Sequence, residues 1–378
     1  MERRHRPADG RHALTEPAAD LDPADIADLL CGAHAQVLSA AELSIGRRIA
    51  GATRADVQRA LWRERTLVKT FGPRGTIHLL PAADLPLWTG ALAALPSVPS
   101  HPEGVRFPPG QADEVIAAIS DALADAELTV DELTEAIAER TGPWAVDLTM
   151  EAFGGRWPRW RQLTSTAAHR GVLCFGPDRD RKVTYTNPSR WLPGFRPADS
   201  GAGLRTLVTR YLYAYGPATP RHFAKWLGIA PKHAAGLFGK LAGELERVEL
   251  DGEPGWTIAG DTATPPRPHR GIRLLPYFDA YLVAGQPRER LYPGAAATRA
   301  LTPAGQAGNY PVLLVDGVAG GVWHPRRSGR KLIITVEPLR ELTAPQLRQL
   351  DDEANLVGAV MEASATLTVG PVTVGPHA

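Results

Sequence analysis

Four cations, Arg326, Arg327, Arg330 and Lys331, crowd a glycine-containing turn just ahead of the apolar run 332–336. Like charges this close repel unless an anion sits among them, so the turn could take a phosphate; a solvated hairpin tip is the plainer reading. A second cluster, Arg156-Trp157-Pro158-Arg159-Trp160-Arg161, alternates arginine with tryptophan. Arg159 and Arg161 could meet phosphates at the start of a helix. Alternatively the tryptophans pack inward and the arginines only solvate the surface. Any such contacts must be local, because 42 Lys and Arg against 41 Asp and Glu leave a formal charge of +1. A protein that coats nucleic acid without selectivity is usually far more basic.

Other reactive groups are sparse. Cys31 and Cys174 stand far apart without metal-type spacing and read as buried reduced thiols. Asp351-Asp352-Glu353 is the one compact acidic run after residue 260. It falls on a predicted helix, where a solvated face is a better reading than the clustered carboxylates a metal-dependent nuclease needs. We therefore expect no metal and no cofactor. The N-terminus lacks the apolar core of a signal peptide and no run is long enough to span a membrane, so a cytoplasmic protein with no membrane partner is expected.

The elements that must position these groups recur in a pattern: short helices, then two strands around a turn, three times before residue 260. In the first copy Asp22-Pro23 opens a helix, Ser39 is placed to cap a second, and Thr53 caps a third carrying Val57, Leu61 and Trp62. Strands 67–71 and 76–80 then flank Gly72-Pro73-Arg74-Gly75, which supplies turn geometry. In the second copy a helix over 111–123 precedes the capping box Thr129-Val130-Asp131-Glu132, a third helix covers 159–169, and strands lie at 172–175 and 182–186. The third copy uses 204–215, a Thr219-Pro220 start, the stretch 231–245, and strands near 247–250 and 255–258.

Past a proline-rich linker at 264–268 the rhythm changes to short strands at 272–275, 281–283, 311–315, 318–323 and 332–336, a single helix over 344–361, and a last strand at 365–369. The expected fold class is α+β: three tandem winged-helix units and a small C-terminal β-barrel-like domain with one helix. Residues 1–20 read as a disordered N-terminus, 21–95, 105–195 and 200–262 as the three winged helices, 270–370 as the barrel-like domain and 371–378 as a tail. Three modules that could face DNA in one chain remove the usual need for a dimer, so a monomer is expected.

Three blocks carry a family resemblance. Thr70-Phe71-Gly72-Pro73-Arg74-Gly75-Thr76-Ile77-His78 is one, Leu274-Leu275-Pro276-Tyr277-Phe278-Asp279-Ala280-Tyr281-Leu282 another, and Gly321-Val322-Trp323 with Arg330-Lys331 through Pro338 the third. In this order they resemble the AlkZ and YcaQ superfamily of winged-helix DNA glycosylases over about residues 20–370. The resemblance implies tandem winged helices and a barrel around a DNA-sized channel, a double-stranded DNA partner carrying alkylated guanine, and removal of bulky N7-alkylguanines or unhooking of crosslinks. Its catalytic Gln-Φ-Gln motif falls on His34-Ala35-Gln36, a His-Φ-Gln form similar to that of self-resistance enzymes in antibiotic producers. The first winged helix would thus carry the catalytic residues, His34 and Gln36. Arg74 and the 326–331 turn would grip flanking phosphates and Asp279 could lie near the lesion or be structural, while His78 reads as packed.

Alkylation at N7 leaves guanine positively charged, so the base departs neutral and needs no strong general acid. What remains is to stabilise a cationic deoxyribose and to place a water near C1′. In an extended segment residues i and i+2 point the same way, which would put His34 and Gln36 on one face with Ala35 turned to the core. Gln36 can both accept and donate to a water, and a neutral His34 with an ordinary pKa near 6.5 could take its proton. A bulky adduct argues against a snug base pocket and for a shallow site reaching C1′ from the minor groove. The main rival is a non-enzymatic winged-helix DNA-binding protein or regulator, although the chain shows no heptad stripe for a dimer. An inactive homologue that only binds lesions is a further alternative.

Overall fold

A computed structural model of the protein describes residues 11–96, 101–152, 155–250, 253–261 and 270–376. The expected linker at 264–268, residues 1–10 and residues 377–378 lie outside the described residues.

The first group of elements is α1 (Pro23–Leu29), β1 (Ala33–His34), α2 (Leu38–Gly46), α3 (Arg54–Trp62), β2 (Leu67–Phe71), β3 (Ile77–Pro81) and α4 (Leu85–Ala93). Asp22 and Asp25 form a capping box at α1, and Thr53 with Asp56 another at α3. Each satisfies amide donors that a helix start leaves unpaired. Ser39 does not cap α2. That helix begins two residues earlier, from an uncapped Val37, and is held by the burial of Leu43 and Ile45. The three strands pair in the order β1-β3-β2, so β1 extends the hairpin.

The second group is α5 (Pro109–Ala122), β4 (Glu127–Thr129), α6 (Val130–Thr141), β5 (Leu148–Ala152), β6 (Gly155–Pro158), α7 (Thr164–His169), β7 (Cys174–Arg179) and β8 (Lys182–Thr186). Thr129 accepts from the Glu132 amide while Glu132 accepts from that of Thr129, as its spacing predicts. The β5–β6 hairpin has no counterpart in the sequence reading, and residues 159–163, expected as α-helix, form a 3-10 turn before α7. The third group is α8 (Ser200–Tyr215), α9 (Pro220–Leu227), α10 (Pro231–Lys240), β9 (Leu245–Leu250) and β10 (Glu253–Ile258).

The C-terminal group is β11 (Ile272–Leu275), α11 (Ala280–Ala284), α12 (Arg288–Leu291), α13 (Ala295–Ala300), β12 (Val312–Val315), β13 (Val318–Ser328), β14 (Lys331–Pro338), α14 (Ala344–Val360) and β15 (Ser364–Val369). Its sheet runs in sequence order, antiparallel except for the final β14–β15 pair. Two expectations fail here. The strand expected at 281–283 is the helix α11, because the Asp279 carboxylate accepts from the Tyr281 amide and Leu282 is buried. Three short helices also join α14, where a single helix was expected.

The chain as a whole is an α+β fold whose groups interlock. Gly203 of α8 lies so close to α4 that a Cβ there would meet the Leu87 carbonyl oxygen at 2.7 Å. Tyr215 donates to Leu30 O at 2.6 Å, and Arg210 pairs with Asp28 and Asp84. Residues 11–20, expected to be disordered, are held as a strap: Arg11 pairs with Asp261, His12 bonds Ala214 O, and Leu14 is buried in the C-terminal core. The tail is likewise anchored, with Val372 buried and its amide donating to Glu337.

Candidate active site

β1 is two residues long and its alternation defines the site. Ala33 and Ala35 are buried in the core with Ile26 and Leu61, which turns His34 and Gln36 to the opposite face. His34 sits opposite His78 on β3, and His78 opposite Thr70 on β2. These three side chains form one buried cross-strand row, 9%, 3% and 3% exposed. Beyond it, Ala35 donates to Ile77 O at 2.7 Å and the exposed Gln36 reaches the Ile77 amide at a long 3.5 Å, leaving its amide group at the surface.

The His34 imidazole lies between two rings. His78 is 4.8 Å away at a tilt of 57°, and Phe278, from the loop after β11, stacks at 4.7 Å and 22°. His34 Nδ1 is buried without a protein hydrogen bond. Desolvation first, and the Arg74 charge second, push the His34 pKa down to about 3. Burial therefore holds the imidazole neutral near neutral pH and makes it a weaker base than one near 6.5. His34 is thus suited to orient a water and offer a lone pair to an electron-poor carbon, more than to remove a proton outright.

His78 is fixed by its Nδ1 donating to Thr76 O at 2.9 Å, and it fits between two glycines: a Cβ on Gly72 would come within 2.8 Å of that nitrogen, and one on Gly32 within 3.3 Å of the ring. Burial drives its pKa well below the usual range, with His34, Arg74 and His169 adding to the effect. Behind it His169, at the end of α7, bonds the Gly72 backbone and is pushed down to about 4, mainly by burial. Three neutral imidazoles thus surround the first hairpin turn. Among the described residues, no group of three His, Cys, Asp or Glu side chains converges where a metal ion could be held. Both thiols are free and buried, and burial pushes Cys31 and Cys174 upward.

A family model described as DNA glycosylase AlkZ-like matches residues 27–360. This chain belongs to the AlkZ-like DNA glycosylase family. One relative, an interstrand DNA cross-link repair glycosylase of Streptomyces sahachiroi, is 32% identical over 322 residues, 82% of this chain and 83% of the relative. The solved structure of the Streptomyces sahachiroi DNA glycosylase AlkZ superposes with a TM-score of 0.81 at 28% identity, covering 96% of this chain and 97% of that one.

In this AlkZ-like chain the expected phosphate-binding cations divide into committed and uncommitted groups. The Arg74 guanidinium donates to Trp226 O at the end of α9, and desolvation lowers its pKa to about 10, so it ties the hairpin turn to the third group. Arg159 donates to Val105 O and Arg106 O and lies 4.4 Å from the Phe107 ring centroid. Arg161 covers the Trp157 ring at 3.8 Å. Trp160 is fully buried while Trp157 remains 39% exposed, so only one tryptophan packs inward. Arg327 donates to Met361 O and Gly329 O. Arg326, Arg330 and Lys331 are exposed on the β13–β14 hairpin, and among the described residues their side chains make no hydrogen bond or ion pair with protein.

Asp279 is buried in an ion pair with Arg48. Both its oxygens accept from Arg48, one also from Ser44 at 2.7 Å, and both charged side chains are 0% exposed. Burial alone would raise its pKa, but Arg48 outweighs burial and holds the carboxyl below the usual range. Its neighbour Phe278 is the ring on His34. Sequence reasoning passed over Phe278 because the contact joins segments far apart in the chain and depends on a backbone at φ +57°, which no local pattern announces.

Proposed function

We propose that this AlkZ-like protein is a DNA glycosylase that hydrolyses the N-glycosidic bond of N7-alkylguanine in duplex DNA. Bulky natural-product adducts, including crosslinks, are its substrates, and self-resistance to a DNA-alkylating metabolite is its role. The observation that carries the reading is His34: a buried, neutral imidazole beside an exposed Gln36 on the same strand face. In this scheme the cationic base leaves as a neutral molecule, and the His34 lone pair faces the developing charge at C1′ without opposing it. Gln36 then holds the water that closes on that carbon, and proton loss follows bond formation, when even a weak base suffices.

The three helix and hairpin groups are read as winged helices laid along the duplex, and the β11–β15 sheet with α14 as the barrel-like domain beside it. Arg326, Arg330 and Lys331 are the cations proposed to meet phosphates, and a single copy of the chain carries the whole site. The name of the Streptomyces relative, a cross-link repair glycosylase, favours the same substrate class.

The test is single-turnover release of modified base from duplexes bearing a bulky N7-guanine adduct or a simple N7-methyl group. His34→Ala is expected to lower release by about 100-fold and Gln36→Ala by at least about tenfold, with DNA affinity retained. Tight binding without release by the unaltered protein would replace this reading with a non-enzymatic DNA-binding role.

A further inference from the structure

We infer that Phe278 is the positioning residue of His34, its ring held on the imidazole face by the buried Arg48–Asp279–Ser44 lock. The inference rests on the glycosylase reading for its catalytic meaning, although its geometry stands apart from it.

Three observations converge. Phe278 stacks nearly parallel on His34, and a flat ring at 4.7 Å restricts the imidazole to one plane while keeping water from that face. The loop that carries Phe278 is held under strain. The residue occupies φ +57°, a left-handed conformation unfavourable for a side chain that persists only when its surroundings impose it. The imposing group is next in sequence: Asp279 is clamped by Arg48 and Ser44 of the α2 region and caps α11 through the Tyr281 amide. Phe278 also abuts Gly308, where a Cβ would overlap the ring, so only glycine leaves room for it.

His34 is faced by His78 across the sheet, with His169 behind, and by Arg74 on the turn with Arg288 beyond. On the loop side the Asp279 carboxylate is turned away into its pair with Arg48. Phe278 is therefore what separates the imidazole from solvent on the loop side. Without the ring, His34 gains water and rotational freedom, and its protonated form becomes accessible near pH 6.

The experiment pairs two readouts on the full chain with Phe278→Leu, which keeps apolar bulk without a flat face, and Phe278→Ala. Histidine-selective NMR between about pH 5 and pH 8 follows His34 without DNA, assigned with His34→Ala. His34 is expected to stay neutral throughout that window in the unaltered protein and to titrate within it in both variants. Single-turnover release from the adducted duplex is expected to fall about 10- to 100-fold with Kd changed less than about twofold. The variants should also acquire an acid limb in their pH–rate profile that the unaltered protein lacks. Asp279→Asn, which keeps one acceptor oxygen, turns the other into an NH2 donor facing Arg48 and removes the charge, should move His34 in the same direction. Unchanged His34 titration in both Phe278 variants overturns the inference, whether or not release falls. Absence of release by the unaltered protein would sink the glycosylase reading alone, because the NMR arm still decides what Phe278 does.

Discussion

At the scale of single residues the site depends on keeping an imidazole uncharged. His34 has a pKa of about 3, so between pH 6 and pH 8 its protonation does not change. The single-turnover release rate should accordingly be flat across that interval, measured on an adduct whose own stability is pH-independent there. A histidine base of pKa near 6.5 would instead lose up to about tenfold per pH unit below its pKa, and such a slope would refute the neutral-imidazole scheme. The sequence supplied part of this arrangement. Alternation alone places Ala33 and Ala35 inward and His34 and Gln36 outward, and the structure has them so. It could not supply the pKa, which comes from burial by Phe278, His78 and the turn of Arg74. Nor could it show that Arg74 and Arg159 spend their guanidinium groups on carbonyl oxygens, since nothing in an arginine's neighbours along the chain tells which acceptor lies opposite.

At the scale of elements, capping chemistry was legible and packing-driven choices were not. Thr53, Thr129 and Thr219 cap where their spacing says they should, because a capping box is local, whereas Ser39 does not cap α2. Thr129→Ala should cost about 1 kcal/mol, read by chemical denaturation. Tyr281-Leu282-Val283 has strand propensity, yet a capping carboxylate and the burial of Leu282 make it helix. The β5–β6 hairpin gives no alternating signal, since its second strand is Gly155-Arg156-Trp157-Pro158. The α4–α8 crossing was equally silent, being a contact of two distant helices through Gly203. Gly203→Val sets a branched side chain against the α4 backbone and is expected to destabilise the fold by about 3 kcal/mol, with a lowered melting temperature as the check. A melting temperature equal to that of the unaltered protein would show that the helices can separate freely.

At the scale of the whole molecule, three buried neutral histidines make the fold acid-sensitive. The folded pKa values of His34 and His169 lie at about 3 and about 4, and His78 well below its usual range, while the unfolded chain titrates near 6.5. Between those limits the unfolded state binds protons that the folded state refuses, so stability is complete above pH 6.5 and falls as pH drops below it. At pH 5 His34 and His169 each cost about 2 kcal/mol, and His78 acts in the same direction. Denaturant melts at pH 7.5 and pH 5 should show the drop, and His169→Gln should recover roughly a third of it; an identical midpoint at both pH values would contradict it. The near-zero net charge sets a second expectation. Replacing Arg326, Arg330 and Lys331 together by alanine should reduce the slope of log K against log salt by about 0.9 for each phosphate that these cations neutralise. A slope unchanged by that triple substitution would remove the β13–β14 tip from the DNA-binding surface.

The union of α2 with the C-terminal group has a consequence for how the protein is made. Arg47 pairs with Glu353, Gly46 lies against Val360 so closely that a Cβ would meet it at 2.6 Å, and Arg48 waits for Asp279. The ribosome delivers His34 before Phe278, Asp279 and α14, the pieces that pack against it and against α2. A nascent chain therefore carries the His34 segment without these partners until they are made. Until Asp279 and α14 are made, α2 lacks these partners, and in the proposed scheme His34 has no Phe278 ring to position it.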